Sequence, residues 1–326
     1  MRAVVLDAAP APPEALVVRE RPVPRPRPGW VLIEVKAFGL NRSELKTRLG
    51  LADPEVTFPR VPGIEATGVV AECPGGELAV GAQVVAMMGG MGRRFDGGYA
   101  EFTCVPVAQA IPIESPLPWT TIGALPEMLQ TAHGSLTVGL DLRAGQTLLV
   151  RGGTSSVGLM ATTLAKRRGA TVLATTRSPA KAQAPRDAGA DHVVLDDGAI
   201  ADAVRALVPG GVDAVLELVG TPTLRDSLAA ARLHGVVCVA GYLSNEWIVP
   251  GFYPTGFLPN GVRLAGYGGD ASDLPQAVLQ DALDAAAAGE LAIPLAKTYA
   301  LDEIATAHAD MEANRFAGKL VVATGR

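Results

Sequence analysis

The chain has 326 residues, 48% of them hydrophobic, and a formal net charge of −5 at pH 7. That length accommodates roughly two domains with substantial cores. The lack of any basic block or aromatic-basic interleaving excludes a nucleic-acid surface, and no apolar run is long enough for a membrane span. Cys73, Cys104 and Cys238 are odd in number and far apart, which argues against a disulfide framework or a thiolate zinc cluster; His133, His192, His234 and His308 are equally scattered. No metal site is expected, and a start that lacks a signal peptide's apolar core points to a soluble cytoplasmic protein.

In chain order, Ala3–Leu6 and Leu16–Arg19 read as strands. A proline tract, residues 21–29, then acts as a rigid surface link into Trp30–Ala37, where Val31, Ile33 and Val35 alternate onto one face. Asn41–Arg48 predicts a helical turn before Gly50. Residues 58–70 form a strand punctuated by proline and glycine, and 81–86 and 97–105 add two more. Many short strands with glycine turns imply a separate, mostly β domain.

The pattern changes at Thr147–Arg168, which reads as strand, tight turn and helix, stopped by Gly169. Gly153, Ser155 and Gly158 occupy the three positions of the G-x-G-x-x-G fingerprint, with serine in the middle. The loop Gly153, Thr154, Ser155, Ser156, Val157, Gly158 therefore brings backbone N–H groups at a helix start to a dinucleotide pyrophosphate. The Ser155 Cβ sits where the backbone should come nearest the phosphates, although its N–H and hydroxyl remain donors.

A second strand, residues 169–176, follows, with Ser178 as an N-cap and Pro179 at the first helical position. This strand does not end in the acid that holds an NAD ribose. Thr176, Arg177 and Lys181 instead suit a 2′-phosphate, which predicts NADPH over NADH, unless the two cations simply solvate a helix start. Further strands at 191–195, 212–218 and 236–240, separated by helical patterns at 199–207 and 222–233, complete a doubly wound parallel sheet. Ala240, Gly241 and Tyr242 close its fifth strand at the carboxyl end, where such sheets bind ligands; Tyr242 either lines the nicotinamide pocket or packs beside it. After residues 262–267 the rhythm changes to helices at about 273–288 and 302–313, and the strand Lys319–Ala323 has only distant segments to pair with.

Several marks in this order carry a resemblance: Gly39-Leu40-Asn41-Arg42-Ser43-Glu44, Pro62-Gly63-Ile64-Glu65 with Gly68, Gly97-Gly98-Tyr99-Ala100-Glu101, Leu129-Gln130-Thr131-Ala132, the 150–158 loop, Ala307-His308, and Gly318-Lys319-Leu320-Val321-Val322. The chain resembles the medium-chain dehydrogenase/reductase superfamily and, within it, the zinc-independent quinone oxidoreductase branch. The resemblance implies an α/β fold in which a doubly wound parallel Rossmann sheet is inserted into a GroES-like, mostly-β catalytic domain. Residues 1–118 and the return 261–326 would form the catalytic domain, and 119–260 the NADPH-binding domain.

Zinc alcohol dehydrogenases share this fold, but their cysteine position falls here at or beside Asn41, their Gly-His-Glu histidine is Ile64, and residues 87–94 replace the four-cysteine lobe. The resemblance implies hydride transfer from NADPH to a quinone or an α,β-unsaturated carbonyl. The alternatives are an NADPH-binding sensor or partner protein with little turnover, and an enoyl thioester reductase. It places Asn41 near nicotinamide and substrate, its amide donating to a developing enolate or quinol oxygen, unless it merely forms a turn. Lys46 stands where several relatives carry tyrosine, as a proton donor or a solvated lysine. Thr131 matches a threonine beside the nicotinamide, or is a helix hydroxyl bonded to its own turn. Glu65 reads as a structural acid, while Asp196 and Leu218 depart from an adenine-side tyrosine and a serine. A homodimer sharing the sheet edge near Leu264–Gly268 is also implied.

Overall fold

The computed structural model describes residues 1–52 and 56–326. Its compact units are Met1–Glu127 with Asp270–Arg326, and Met128–Gly269. The division falls later than the sequence marks at 118 and 260. It interrupts the helix Pro126–Gly134, and the strand Arg263–Gly266 stays with the middle unit because it pairs in parallel with the strand before it.

In chain order the strands are β1 (Arg2–Val5), β2 (Val17–Glu20), β3 (Trp30–Gly39), β4 (Glu65–Glu72), β5 (Gln83–Met87), β6 (Phe102–Pro106), β7 (Ala110–Ile113), β8 (Thr147–Arg151), β9 (Thr171–Thr176), β10 (His192–Leu195), β11 (Val212–Glu217), β12 (Ala231–Val239), β13 (Arg263–Gly266), β14 (Leu295–Ala300) and β15 (Lys319–Ala323).

In the middle unit the sheet order is β10-β9-β8-β11-β12-β13, every neighbouring pair parallel. Numbered within that unit this is the doubly wound order 3-2-1-4-5-6, whose direction reverses between β8 and β11 and opens a ligand crevice at their carboxyl ends. Both faces are covered, so Leu148, Leu149, Val150, Val215 and Leu216 are all fully buried and read as continuous apolar runs. The helical pattern at 222–233 is cut short: the helix Thr221–Ala230 hands over directly to β12 at Ala231. The segment after β9 is a 3-10 turn, Pro179–Lys181, followed by a short helix, Gln183–Asp187. The Ser178 side chain makes no cap bond there, contrary to the sequence reading.

In the other unit the path runs β14-β15-β3-β4-β5-β7, with β6 also on β3, and β1 pairs with β2 separately. The C-terminal strand β15 pairs antiparallel with β3 through Val321 and Gly39, so the end of the chain closes the sheet begun near its start. Val31, Ile33, Val35, Phe38, Val84, Tyr99 and Val322 form the core, with the Phe38 and Tyr99 rings stacked at 4.5 Å. Each such aliphatic side chain contributes about 1.5–3 kcal/mol on burial. Strands β7 and β14 lie at the two ends of the path, where Pro112 and a half-exposed pattern are tolerated; that is why neither shows as a strand in the sequence. Among the described residues no helix is long and apolar enough to cross a membrane.

Candidate active site

The nucleotide half is built at the end of β8. Gly152 takes φ +87°, which favours glycine. A Cβ on Gly153 would lie 2.9 Å from the Ala174 Cβ and the Thr175 carbonyl, so only glycine lets the loop lie along β9. The loop is tied there by Gly153 N donating to Thr175 O at 3.1 Å and Gly152 N to Thr175 Oγ1 at 3.1 Å. A Cβ on Gly158 would stand 2.5 Å from Gly152 O, which accounts for the third glycine of the fingerprint.

Ser155 is the N-cap of the helix Ser156–Arg167. Its Oγ accepts from Gly158 N at 3.0 Å and donates to Gly152 O at 2.8 Å, while its own N–H also donates to Gly152 O. Both donors expected to reach phosphate are therefore turned into the loop. The N–H groups of Ser156 and Val157, in the first helical turn, have no helical acceptor one turn back and are the kind of donors that suit an anion. Thr154 is half-buried between Gly153 and Ser155.

At the end of β9, Thr176 is buried and its hydroxyl shapes the turn, donating to Ser178 O at 3.1 Å and accepting from Ser178 N at 3.2 Å. The hydroxyl is thus engaged within the turn. Arg177 is exposed and Lys181 half-buried. Burial and then the Arg177 charge hold the Lys181 ammonium below its ordinary pKa, as expected of two cations facing one locality.

Around the crevice, a Cβ on Gly241 would meet Leu218 O at 2.8 Å, so buried Leu218 serves as a packing wall. Ala240 and Tyr242 are half-buried, and the Tyr242 ring lies 6.0 Å from that of Trp247. Thr131 is buried on the helix Pro126–Gly134, and its Oγ1 donates to Gln130 Oε1 at 3.2 Å, with Gln130 Nε2 donating to Tyr267 OH at 2.9 Å.

Asp196 is not a defect of an adenine site. Its two oxygens accept from Arg151 Nε and Nη2 at 2.9 Å each, and Arg151 Nη1 also donates to Asp226 at 2.7 Å. This buried guanidinium, with every nitrogen hydrogen-bonded, ends β8 at the start of the loop; it is legible in the sequence only as a charge closing an apolar run.

The β unit carries a buried polar cluster of its own. Asn41 precedes the helix Arg42–Arg48 in extended conformation, and its N–H donates to Glu44 Oε2 at 2.9 Å. Its side-chain Nδ2 donates to Glu65 Oε1 at 2.9 Å and to Glu44 Oε1 at 3.4 Å, and its Oδ1 accepts from Lys319 Nζ. Both amide hydrogens are thus directed to buried carboxylates, and the expected donation from Asn41 to a substrate oxygen has no hydrogen to make it.

Lys319, which the sequence shows only as part of a tail strand, is the centre of this network. Its Nζ stands 2.7 Å from Glu65 Oε1 and 3.6 Å from Glu127 Oε2, and Glu65 Oε2 also accepts from Glu127 N at 2.8 Å. Burial pulls the Lys319 pKa down, but Glu65 and Glu127 outweigh it and the ammonium is held above its ordinary value. Glu44 accepts from Ile64 N at 2.8 Å; burial nevertheless pushes its carboxyl up to about 7. Lys46, half-buried on the same helix, is held below the ordinary lysine value by burial, then by Arg93 and Arg42.

These residues do not fit zinc. The positions of the family's cysteine and histidine ligands hold an amide and an isoleucine, and an ammonium is hydrogen-bonded to that amide. Among the described residues no group of three or more His, Cys, Asp or Glu side chains is placed to hold a metal ion.

A dinucleotide-type loop at the switch point of a parallel sheet, carried on a chain whose β unit is closed by its own tail, defines an oxidoreductase that takes a nicotinamide cofactor. Comparison with known proteins agrees. Residues 27–115 match the alcohol dehydrogenase GroES-like domain and 156–284 the zinc-binding dehydrogenase domain. Prostaglandin reductase-3 of Bos taurus is 30% identical over 267 residues, 78% of this chain and 67% of that protein. The mycobacterial protein Rv1454c, solved in complex with NADPH, aligns with a TM-score of 0.86 at 27% identity over 99% of each chain. A quinone oxidoreductase of Pseudomonas syringae pv. tomato DC3000 gives 0.88 at 25% identity, covering 99% of this chain and 100% of that one. The chain belongs to the medium-chain dehydrogenase/reductase superfamily, in its zinc-independent quinone oxidoreductase branch.

Proposed function

We propose that the protein is an NADPH-dependent reductase of conjugated carbonyl compounds, quinones or enones. The observation that carries this reading is the pairing of Arg177 and Lys181 at the end of a second strand that lacks a terminal acid, beside a loop with two open N–H groups. The NADPH complex of the mycobacterial relative supports the cofactor, and the names of the bovine and Pseudomonas proteins support the acceptor class.

In this reading the nicotinamide supplies the hydride. Ser156 and Val157 N–H groups hold the pyrophosphate, and Arg177 and Lys181 the 2′-phosphate. The acceptor carbon gains the hydride and its oxygen or α-carbon gains a proton. Lys46 holds that proton at Nζ, and its lowered pKa makes it a stronger acid than a solvated lysine. Asn41 and Lys319 act by fixing the start of the helix that carries Lys46.

The test is to titrate purified protein with NADPH and NADH, then follow cofactor oxidation on adding benzoquinone, phenanthrenequinone or cyclohexenone. NADPH preference with acceptor-dependent oxidation is expected. Arg177→Ala, an exposed charge, should reduce the NADPH over NADH preference roughly five- to tenfold. Binding without oxidation of any acceptor would overturn the reductase reading in favour of a sensor or partner role.

A further inference from the structure

Strand β7 stands at one end of its sheet and, among the described residues, pairs with β5 alone. Backbone groups of a strand point alternately to its two sides, so every second residue of β7 turns its N–H and C=O outward. Pro112 and Glu114, the latter just past the strand's end, are such residues: Pro112 O and Glu114 N and O bond away from the sheet, and proline brings no N–H of its own. Between them they present three polar groups. All three are taken by side chains of one helix, Gln276–Ala287. Gln276 Nε2 donates to Pro112 O at 2.9 Å, Gln280 Nε2 donates to Glu114 O at 2.7 Å, and Glu114 N donates to Gln280 Oε1 at 3.0 Å.

A glutamine amide is a peptide-like group on a flexible stem, carrying both a carbonyl acceptor and N–H donors. Gln280 therefore exchanges two hydrogen bonds with Glu114, as a residue of an adjacent antiparallel strand would. The spacing fits as well: four helical residues advance about 6 Å and two strand residues about 6.7 Å, so glutamines one turn apart meet successive outward residues. Leu279 and Leu283 on the same helix are fully buried, which anchors it, and Gln280 Nε2 is shared with Asp284 Oδ1 at 2.9 Å. On the inner side Gln83 of β5 does the same for Ser115, donating to its O at 3.2 Å and accepting from its N at 2.8 Å.

We propose that Gln276 and Gln280 act as a surrogate strand that closes β7 against the addition of a strand from a second copy of this chain. An open edge suits its own copy, because antiparallel pairing of two identical strands about a two-fold axis is self-complementary. A cover made of side-chain amides satisfies the edge without presenting a new backbone edge beyond it. The two glutamines are then a device against self-association, independent of cofactor and acceptor.

Two measurements on the whole protein test this. In Gln280→Ala, hydrogen exchange at the Glu114 amide should speed up at least about tenfold while Ile111 and Ile113, on the β5 side, stay as they were. Retained protection of Glu114 overturns the proposal. Gln276→Ala combined with Gln280→Ala should show, in sedimentation velocity, a mean mass that rises with concentration above that of the unaltered protein at the same concentrations, with circular dichroism reporting the same fold. Gln280→Ala alone should show a weaker form of the same rise, so the reading stands or falls without the double variant. Adding Glu114→Pro deletes the outward N–H and should restore the original mass. Variants that keep the mass of the unaltered protein, or an association that survives Glu114→Pro, overturn it.

Discussion

Replacing Lys319 by methionine keeps the stem's volume and removes one charge from a place where three groups depend on it. The ammonium is fully buried, 2.7 Å from Glu65 and hydrogen-bonded to Asn41, with Glu127 at 3.6 Å. Glu65 is also fully buried and would be left with only N–H donors from Asn41 and Glu127. Removing one partner of such a pair destabilises by about 3–5 kcal/mol, because the remaining charge stays out of water. Urea unfolding of Lys319→Met at pH 8 should therefore show a deficit of about 3 kcal/mol or more. A deficit under about 1 kcal/mol at pH 8 would refute the assignment of this lysine as the charge on which the network depends.

Two more outcomes follow from the same geometry. Ser155→Ala removes the cap on Gly158 N and should cost about 1 kcal/mol in thermal unfolding of the cofactor-free protein, and Ser155→Gly only a few tenths. If phosphate binding falls to Ser156 and Val157, as proposed, neither variant should weaken NADPH binding by as much as tenfold; a larger loss in Ser155→Ala would return the hydroxyl to the phosphate. For Glu44 the sign is that of an acid whose folded pKa lies above its unfolded one: the native state binds the extra proton between the usual carboxylate value and about 7. Stability should then fall as pH rises through that interval, by about 3 kcal/mol in all, and level off above it. Glu44→Gln should flatten that slope in urea titrations, and an unchanged slope would place the pH dependence elsewhere.

The parallel sheet was legible because its strands are covered on both faces, which leaves apolar runs such as Leu148–Val150 and a turn so crowded that Gly153 and Gly158 are fixed by backbone approach. The edge strands β7 and β14 were not, since an edge tolerates Pro112 and mixed burial and so reads as loop. The bounds of the β unit depend on β15 reaching β3 across nearly the whole chain, a pairing no local pattern encodes.

The site residues divide along the same line. Ser155, Asp196 and Asn41 each stand out in the sequence as departures, and each was weighed there singly, as a weakened phosphate contact, a lost adenine partner or a substrate donor. In the fold each is one side of a pair whose other side lies outside the local motif or is invisible in it: Gly158 N for Ser155, the Arg151 guanidinium for Asp196, and Lys319 with Glu65 for Asn41. A carboxylate in place of an aromatic ring at 196 makes sense only once the buried Arg151 at the end of β8 is bonded to it, and an amide in place of a thiolate ligand at 41 makes sense only once a lysine supplies the positive charge on which it and Glu65 converge. Substituting one member toward the family pattern would leave its partner buried and unsatisfied, so these positions constrain one another through desolvation, and the zinc-independent character of the site resides in the Asn41–Lys319–Glu65 combination rather than in the absence of any single ligand.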